Sequence, residues 1–218
     1  MNEEIMTENN KTHSICIWNN IAECNFCEIK GKLHCHSEKK YTLMFGATFF
    51  LYFLPAILGI IFSGFDMVVF SIAIGGLIGY WIFFFSFWES RILCSHCPQY
   101  ANDDQKVLHC YANTGIPKTS SYHPSPISRS EKIQFIIGVI ILIGYPLPFL
   151  IVGGKFILLS ISIIGIVLWI IVLRFKICKI CVNFSCPLNR VPKHLVDHFL
   201  KQNPEMKEAW EKNGYKID

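Results

Sequence analysis

The chain has 218 residues, a formal net charge of +4 and 10 cysteines. The small positive charge is explained by Lys and Arg beside membrane segments, so no nucleic-acid partner is expected. No nucleotide-binding glycine loop, zinc-protease His-Glu-x-x-His or hydrolase Gly-x-Ser-x-Gly motif occurs in the sequence. The sequence therefore predicts no catalytic residue and leaves open whether the protein is an enzyme.

The amino-terminal segment, 1–40, contains the pattern Cys16-x7-Cys24-x2-Cys27-x7-Cys35. A Cys-x2-Cys turn lets two thiolates reach one ion, and the two outer cysteines complete a tetrahedral set. We therefore predict a metal site made of these four cysteines. Zinc and an iron–sulfur cluster both remain open, because spacing alone does not separate them, and unligated thiols are the alternative. His34 and His36 are expected to be solvated or to hydrogen-bond the ligands.

Four uncharged runs follow, at residues 41–62, 67–88, 133–154 and 156–173. A helix needs roughly 17 to 25 apolar residues to cross a bilayer, and each run is long enough. Short connectors join the runs in pairs, so 41–88 and 133–173 each predict a tight hairpin. We predict an all-α integral membrane protein with four transmembrane helices in two hairpins and small Cys-rich cytoplasmic segments. Buried helices of a soluble core are the alternative, which such long uncharged runs disfavour.

Two hairpins return the chain to its starting side, so the segments 1–40, 89–132 and 174–218 share one aqueous face. Of the 20 Lys and Arg residues, only Lys155 lies in a connector on the other face. The positive-inside rule then predicts a multi-pass protein of the cytoplasmic membrane with both termini in the cytosol. Because the cytosol keeps thiols reduced, clustered cysteines there are more often metal ligands or redox groups than structural disulfides.

The central and carboxy-terminal segments carry two further cysteine clusters. Arg91-Ile-Leu-Cys94-Ser-His-Cys97 lies 84 positions before Phe175-Lys-Ile-Cys178-Lys-Ile-Cys181, and each follows a membrane run. This similarity indicates a duplicated unit, and equivalent parts of parallel membrane repeats meet near a common axis. We predict that Cys94, Cys97, Cys178 and Cys181 form a shared cofactor site. Cys110 and Cys186 are expected within reach, as replacement ligands, neighbouring groups or a redox pair.

Proline follows directly in Cys97-Pro98 and Cys186-Pro187, as it does at the end of bacterial ferredoxin ligand runs. The Cys94-Ser-His-Cys97-Pro98 segment also resembles the Cys-x3-Cys-Pro that follows membrane helices in four-helix electron-transfer proteins of anaerobic respiration. It is one residue shorter, and the two ferredoxin-type runs of that group are missing. The resemblance implies iron–sulfur clusters on the cytoplasmic side.

No Asp, Glu, Lys, Arg or His lies inside the four runs, which argues against pump, channel or bundle-spanning haem functions. Ser71, Gly75 and Gly79 recur every four residues and are expected to pack inside the bundle, with a dimer interface as the alternative. Aromatic residues concentrate where the second run reaches the cytoplasmic surface: Phe83, Phe84, Phe85, Phe87 and Trp88. An interfacial belt explains them most simply, but a quinone headgroup could also stack there.

The leading hypothesis is a membrane-anchored redox or electron-transfer protein with cytoplasmic thiolate-ligated metal or iron–sulfur sites. It would exchange electrons with a protein redox partner or with the quinone pool. A zinc-stabilised membrane scaffold or assembly factor is the alternative, since segments of this size need a bound metal ion to stabilise their fold. A quinone-linked thiol–disulfide oxidoreductase is the third hypothesis, and the cytoplasmic orientation counts against it. The substrate and the oligomeric state do not follow from the sequence.

Overall fold

The computed structural model of the protein describes His13 and residues 15–18, 23–36, 38–102 and 104–218. The prediction for segment 1–40 falls partly on residues that lie outside the described ones, namely 1–12, 14, 19–22 and 37. Within the described ranges the secondary structure is helical, apart from one isolated antiparallel bridge between Val107 and Pro117.

Four helical stretches are long and apolar enough to cross a membrane: Lys39–Ile61, Met67–His96, Arg129–Val152 and Phe156–Ile177. The prediction of an all-α membrane protein with four transmembrane helices is thereby confirmed. The α-helical elements are α1 (Lys39–Ile61), α2 (Met67–Phe83), α3 (Glu89–Ile92), α4 (Arg129–Gly144), α5 (Leu147–Val152), α6 (Phe156–Val172), α7 (Lys193–Lys201) and α8 (Pro204–Lys212).

Local sequence signals explain how the two hairpins turn. Gly64 has a φ of 68°, and the Asp66 carboxylate accepts hydrogen bonds from the backbone N–H groups at the start of α2. A capping box between Ser128 and Glu131 begins α4. Pro146 separates α4 from α5, because its ring cannot continue the helical hydrogen-bond ladder. Gly154, with a φ of 66°, lies in the turn between α5 and α6, so the second hairpin also turns at a glycine of positive φ.

The two hairpins are held together chiefly by α1 and α6, the most extensively packed helix pair in the described part of the chain. Gly165 lies at their crossing. A Cβ atom at this position would lie 2.6 Å from the Leu51 carbonyl oxygen and 2.7 Å from the Tyr52 backbone nitrogen. Only glycine permits this approach of the two backbones, as is common between membrane helices.

Gly165→Ala is expected to destabilise the bundle by about 1–3 kcal/mol, because the added methyl group meets the backbone of α1 and not a movable side chain. Gly75→Ala is the matched control, since a Cβ atom there meets no atom of the described residues within 4 Å. Unfolding of both variants in mixed micelles, followed by circular dichroism, measures the difference. Equal stability of the two variants would contradict this account of the crossing.

The expected internal packing of Ser71, Gly75 and Gly79 is wrong, because all three are exposed on the outer face of α2. The same helix turns Ala73 and Leu77 into the core. A helix that is apolar on every side carries no periodic signal that separates its lipid face from its bundle face.

Both hairpins end in a π-helical turn. Phe84–Trp88 continues α2 into α3, and Leu173–Ile177 continues α6 toward Cys178. Such turns are rare and frequently mark functional sites. The cysteine pairs that follow them are therefore placed at the same end of the bundle by similar irregular helix ends.

At this end the three hydrophilic segments pack into one apolar layer. Its buried members come from all three: Ile15, Ile17 and Leu33 from the amino-terminal segment, Tyr100 and Leu108 from the central segment, and Val182, Phe199 and Leu200 from the tail. The cysteine clusters are therefore carried by a single packed layer on the bundle and not by three independent loops.

Candidate thiolate sites

A cavity of about 110 Å³ lies where the helical bundle meets the Cys-rich layer. All six cysteines of the central and carboxy-terminal segments line it: Cys94, Cys97, Cys110, Cys178, Cys181 and Cys186. The structure thus brings the two Cys-x2-Cys pairs together and includes Cys110 and Cys186 in the same wall. Their role as cofactor ligands stays a prediction. We call this group the cavity site.

Short backbone hydrogen bonds fix the loops that carry these thiols. The turn at Cys94 is closed by a bond from the Cys97 N–H to the Cys94 carbonyl, 2.9 Å long. The Cys110 loop is closed by the Leu108 N–H, which donates to the Ile116 carbonyl at 2.8 Å. Gly115, with a φ of 85°, allows this loop to reverse. Cys110 therefore reaches the cavity through a tight turn that the cysteine spacing does not reveal.

Hydrogen-bond donors surround the sulfurs of the cavity site. Asn113 contributes two, because its backbone N–H lies 3.2 Å from Cys110 Sγ and its side-chain Nδ2 lies 3.2 Å from Cys94 Sγ. The other donors are the backbone N–H groups of Ala112 to Cys110, Gln99 to Cys97, Asn183 to Cys181 and Leu188 to Cys186, and the Tyr111 hydroxyl to Cys181. Such donors favour the thiolate form, which is the form that binds metals.

Burial opposes the ionisation of the same thiols. It raises the pKa of Cys97 well above its ordinary value, and the neighbouring Cys181 and Cys110 thiols raise it further. The pKa of Cys110 is raised to about 12, mainly by burial. Burial also raises the pKa of Cys178 to about 12, although the Arg190 guanidinium acts in the opposite direction. A bound cation would offset the free-energy cost of ionising these thiols, because crowded buried thiolates need a positive partner.

Polar atoms without partners concentrate at the same cavity. Six buried atoms from five lining residues have no hydrogen-bond partner among the described residues: His34 Nδ1 and Nε2, Glu89 Oε2, Asn113 Oδ1, Trp169 Nε1 and Asn183 Oδ1. Native proteins contain few such atoms, and a group of them around one space indicates that a polar or charged group belongs there.

Sequence reasoning did not identify these residues as part of the site. Glu89 is the first charged residue after the second apolar run. This position, directly beside a membrane segment, is the feature of the sequence that points to it as a site residue. Instead of lying in solvent, it is buried beside the thiols, with 8% of its surface exposed. His34 is also buried and lines the cavity, so the expectation of a solvated group does not hold for it. Asn113 and Asn183 carried no sequence signal.

The aromatic residues at the end of α2 divide into two sets. Phe84 and Phe85 are buried and line the cavity, whereas Phe83 and Phe87 are exposed on the outer face. The outer pair fits an interfacial belt. The cavity is smaller than an engineered cavity of about 150 Å³ that takes up benzene. It therefore has the volume of one small multi-atom group.

The four amino-terminal cysteines form the second group, which we call the outer site. Burial raises the pKa of Cys35 to about 12, and the thiols of Cys16, Cys27 and Cys24 raise it further, so the four sulfurs are electrostatic neighbours. His36 Nε2 lies 3.5 Å from Cys24 Sγ. All four cysteines are partly exposed, whereas three of the six cysteines of the cavity site are buried.

The tail supports the outer site. Asn203, between α7 and α8, is fully buried, and its Oδ1 accepts a hydrogen bond from the Cys16 N–H at 2.7 Å. Its Nδ2 lies 3.3 Å from Cys16 Sγ and donates to the Phe199 carbonyl at 2.7 Å. Gln202 contacts Cys27 Sγ at 3.8 Å. One asparagine thus fixes both the backbone and the sulfur of Cys16.

Asn203→Leu is expected to weaken metal binding at the outer site by about 10- to 100-fold, the usual cost of losing a hydrogen bond that orients a ligand. Asn213→Leu is the matched control, because Asn213 caps the end of α8 through the Ala209 carbonyl and is exposed. Competition with a chelator measures both affinities. An unchanged affinity in Asn203→Leu would show that Cys16 needs no such support.

In the described part of the chain, no three His, Cys, Asp or Glu side chains are already gathered as ligands of one metal ion. Metal binding at either site therefore stays a prediction, and it would require the thiol side chains to close around the ion. The donor chemistry nevertheless fits, since thiolates suit zinc and iron–sulfur clusters.

This chain matches no known family, no curated protein and no solved structure with which it was compared.

Proposed function

We propose that this protein is a membrane-anchored electron-transfer protein whose two thiolate sites hold metal centres, with an iron–sulfur cluster in the cavity site. One observation carries the proposal. Six cysteines, with hydrogen-bond donors directed at five of their sulfurs, converge on a single buried cavity at one end of a transmembrane bundle. Structural zinc needs four ligands and a closed tetrahedron. Six thiols around a space for several atoms fit a cluster better.

The remaining chemistry of the site also favours electron transfer. Hydrogen bonds to cluster sulfurs, burial and net charge are the features through which proteins set the potentials of iron–sulfur clusters. All three are provided by the residues around the cavity, including the N–H groups of Asn113 and the buried carboxyl of Glu89. The four membrane helices would hold this centre at the bilayer surface, within reach of a protein redox partner.

A thiol–disulfide oxidoreductase is less well supported. Attack on a disulfide requires a thiolate, and reactive cysteines have a lowered pKa. Burial instead raises the pKa of Cys97 and of Cys181, so neither pair offers an activated nucleophile.

The proposal is tested by purifying the protein under anaerobic conditions and measuring iron, zinc and acid-labile sulfide. We expect iron and sulfide, together with an electron paramagnetic resonance signal after reduction with dithionite. Zinc without sulfide would instead favour the scaffold alternative. Absence of both metals, together with reversible disulfide formation, would favour the oxidoreductase.

The zinc-stabilised scaffold is favoured by one observation at the outer site. This site connects the amino-terminal segment to the tail, through Cys16 with Asn203 and through a hydrogen-bond contact of 2.7 Å between His13 Nδ1 and Glu205 Oε1. A metal ion there would staple two segments that are too small to fold alone. Zinc at the outer site and iron in the cavity site are compatible within one protein.

The cytoplasmic location of both sites rests on the distribution of Lys and Arg. We expect Lys155→Cys, in the connector opposite the sites, to react with an impermeant maleimide applied to intact cells. Lys216→Cys, exposed in the tail, should react only after permeabilisation. The unmodified protein gives the background labelling. The reverse pattern would place both thiolate sites outside the cytosol and remove the argument for reduced thiols.

A further inference from the structure

The outer site and the cavity site meet directly. His34 lines the cavity, and its neighbour in the chain, Cys35, belongs to the outer site. The His34 N–H donates to the Ile180 carbonyl at 2.7 Å, and Ile180 precedes Cys181 of the cavity site. One peptide unit of the amino-terminal segment therefore lies between the two groups of thiols.

Gln99 provides a second connection. Its backbone N–H donates to the Cys97 thiol, and its side-chain Nε2 donates to the Cys35 carbonyl at 2.7 Å. Gln99 is buried, with 6% of its surface exposed, and it lines the cavity. A continuous path thus runs from Cys97 Sγ through one glutamine to the backbone of Cys35. Every atom of this path belongs to the protein.

We propose that the two sites form one electron relay, in which Gln99 connects the outer site to the cavity site. This inference rests on the proposed function. One electron leaves the outer site, which is oxidised by one electron, and enters the cavity site, which is reduced by one electron. No bond is made or broken, and no proton has to move. The electron is supplied by a soluble one-electron donor protein.

The solvent exposure of the two sites indicates where the electron enters the relay. All four outer cysteines are partly exposed, whereas three of the six cavity cysteines, Cys94, Cys97 and Cys178, are buried. The turn between Cys24 and Cys27 also presents Phe26, with 93% of its surface exposed. A large donor protein can approach this turn, whereas half of the cavity thiols are buried. The outer site is therefore the entry point of the relay.

The test uses the full-length protein in detergent, reduced by a soluble ferredoxin and followed by rapid freeze-quench electron paramagnetic resonance. In Gln99→Leu we expect unchanged iron and sulfide contents and an unchanged outer signal, but a several-fold slower appearance of the reduced cavity signal. Gln134→Leu is the matched control, because this exposed glutamine of α4 donates to the Ser130 hydroxyl and does not line the cavity. It should leave the transfer rate unchanged. Removal of the outer site by Cys24→Ser should also slow reduction of the cavity site.

The outcomes separate the relay from the proposed function. If both sites contain iron and sulfide, but the cavity site is reduced equally fast in Gln99→Leu, the relay through Gln99 is wrong. Zinc in the outer site would overturn the relay and leave an electron-transfer function of the cavity site intact. Absence of iron from both sites overturns both. Should Gln99→Leu fail to fold, spin–spin coupling between the two reduced sites of the unmodified protein decides, since adjacent sites must couple magnetically.

Discussion

Replacing either Cys97 or Cys181 by serine is expected to abolish the same spectroscopic signal, although the two residues belong to different hairpins. The Cys181 thiol raises the pKa of Cys97, and both residues line the same cavity, so the two thiols face one space. Replacing a cysteine by serine removes a metal ligand, and not merely a hydrogen bond to a ligand. The binding defect should therefore exceed the roughly 10- to 100-fold cost of losing an outer hydrogen bond.

Cys24→Ser is the control for this experiment, because it should remove the outer signal and leave the cavity signal intact. Absorbance, electron paramagnetic resonance and iron content of the purified variants supply the measurements. Two separable signals, one lost with Cys97 and the other with Cys181, would show that the hairpins carry independent sites. Cys94→Ser and Cys178→Ser extend the test to the first cysteine of each Cys-x2-Cys pair.

Much of this arrangement follows from the sequence because its causes are local. Uncharged runs of membrane-spanning length predict helices, and short connectors between them predict hairpins. Hairpins in turn bring Cys94, Cys97, Cys178 and Cys181 to one end of the bundle. The capping box at Ser128 is equally local, since its two hydrogen bonds join residues only three positions apart.

The unpredicted parts depend on contacts between distant segments. Glu89 and His34 are ordinary polar residues in the sequence, and only the packing of the amino-terminal segment onto the bundle encloses them in one cavity. Asn203 lies 187 positions from Cys16, the thiol that it supports. The sequence does not reveal the role of Gly165 either. Many glycines occur in apolar runs, and only helix packing decides which of them contacts the backbone of another helix.

Metal binding at the outer site is expected to strengthen steeply with pH. Burial raises the pKa of Cys16, and it raises the pKa of Cys35 to about 12, so both thiols hold their protons at neutral pH when no metal is bound. Because a metal binds the thiolate, binding must release these protons. Protons therefore compete with the metal at low pH, and the competition is relieved as the pH rises.

Each proton released adds about one power of ten in affinity per pH unit, so Cys16 and Cys35 alone contribute about two powers of ten per pH unit, or about four between pH 6 and pH 8. Any further thiol that loses a proton on binding adds to this slope. Cobalt(II) added to the Cys97→Ser variant reports the outer site alone, through its thiolate charge-transfer absorbance. Cys35→Ser in the same background should lower the slope by about one power of ten per pH unit, because one proton fewer is released. An affinity that does not change with pH would mean that neither Cys16 nor Cys35 is a ligand, because each of these protonated thiols would release a proton on binding.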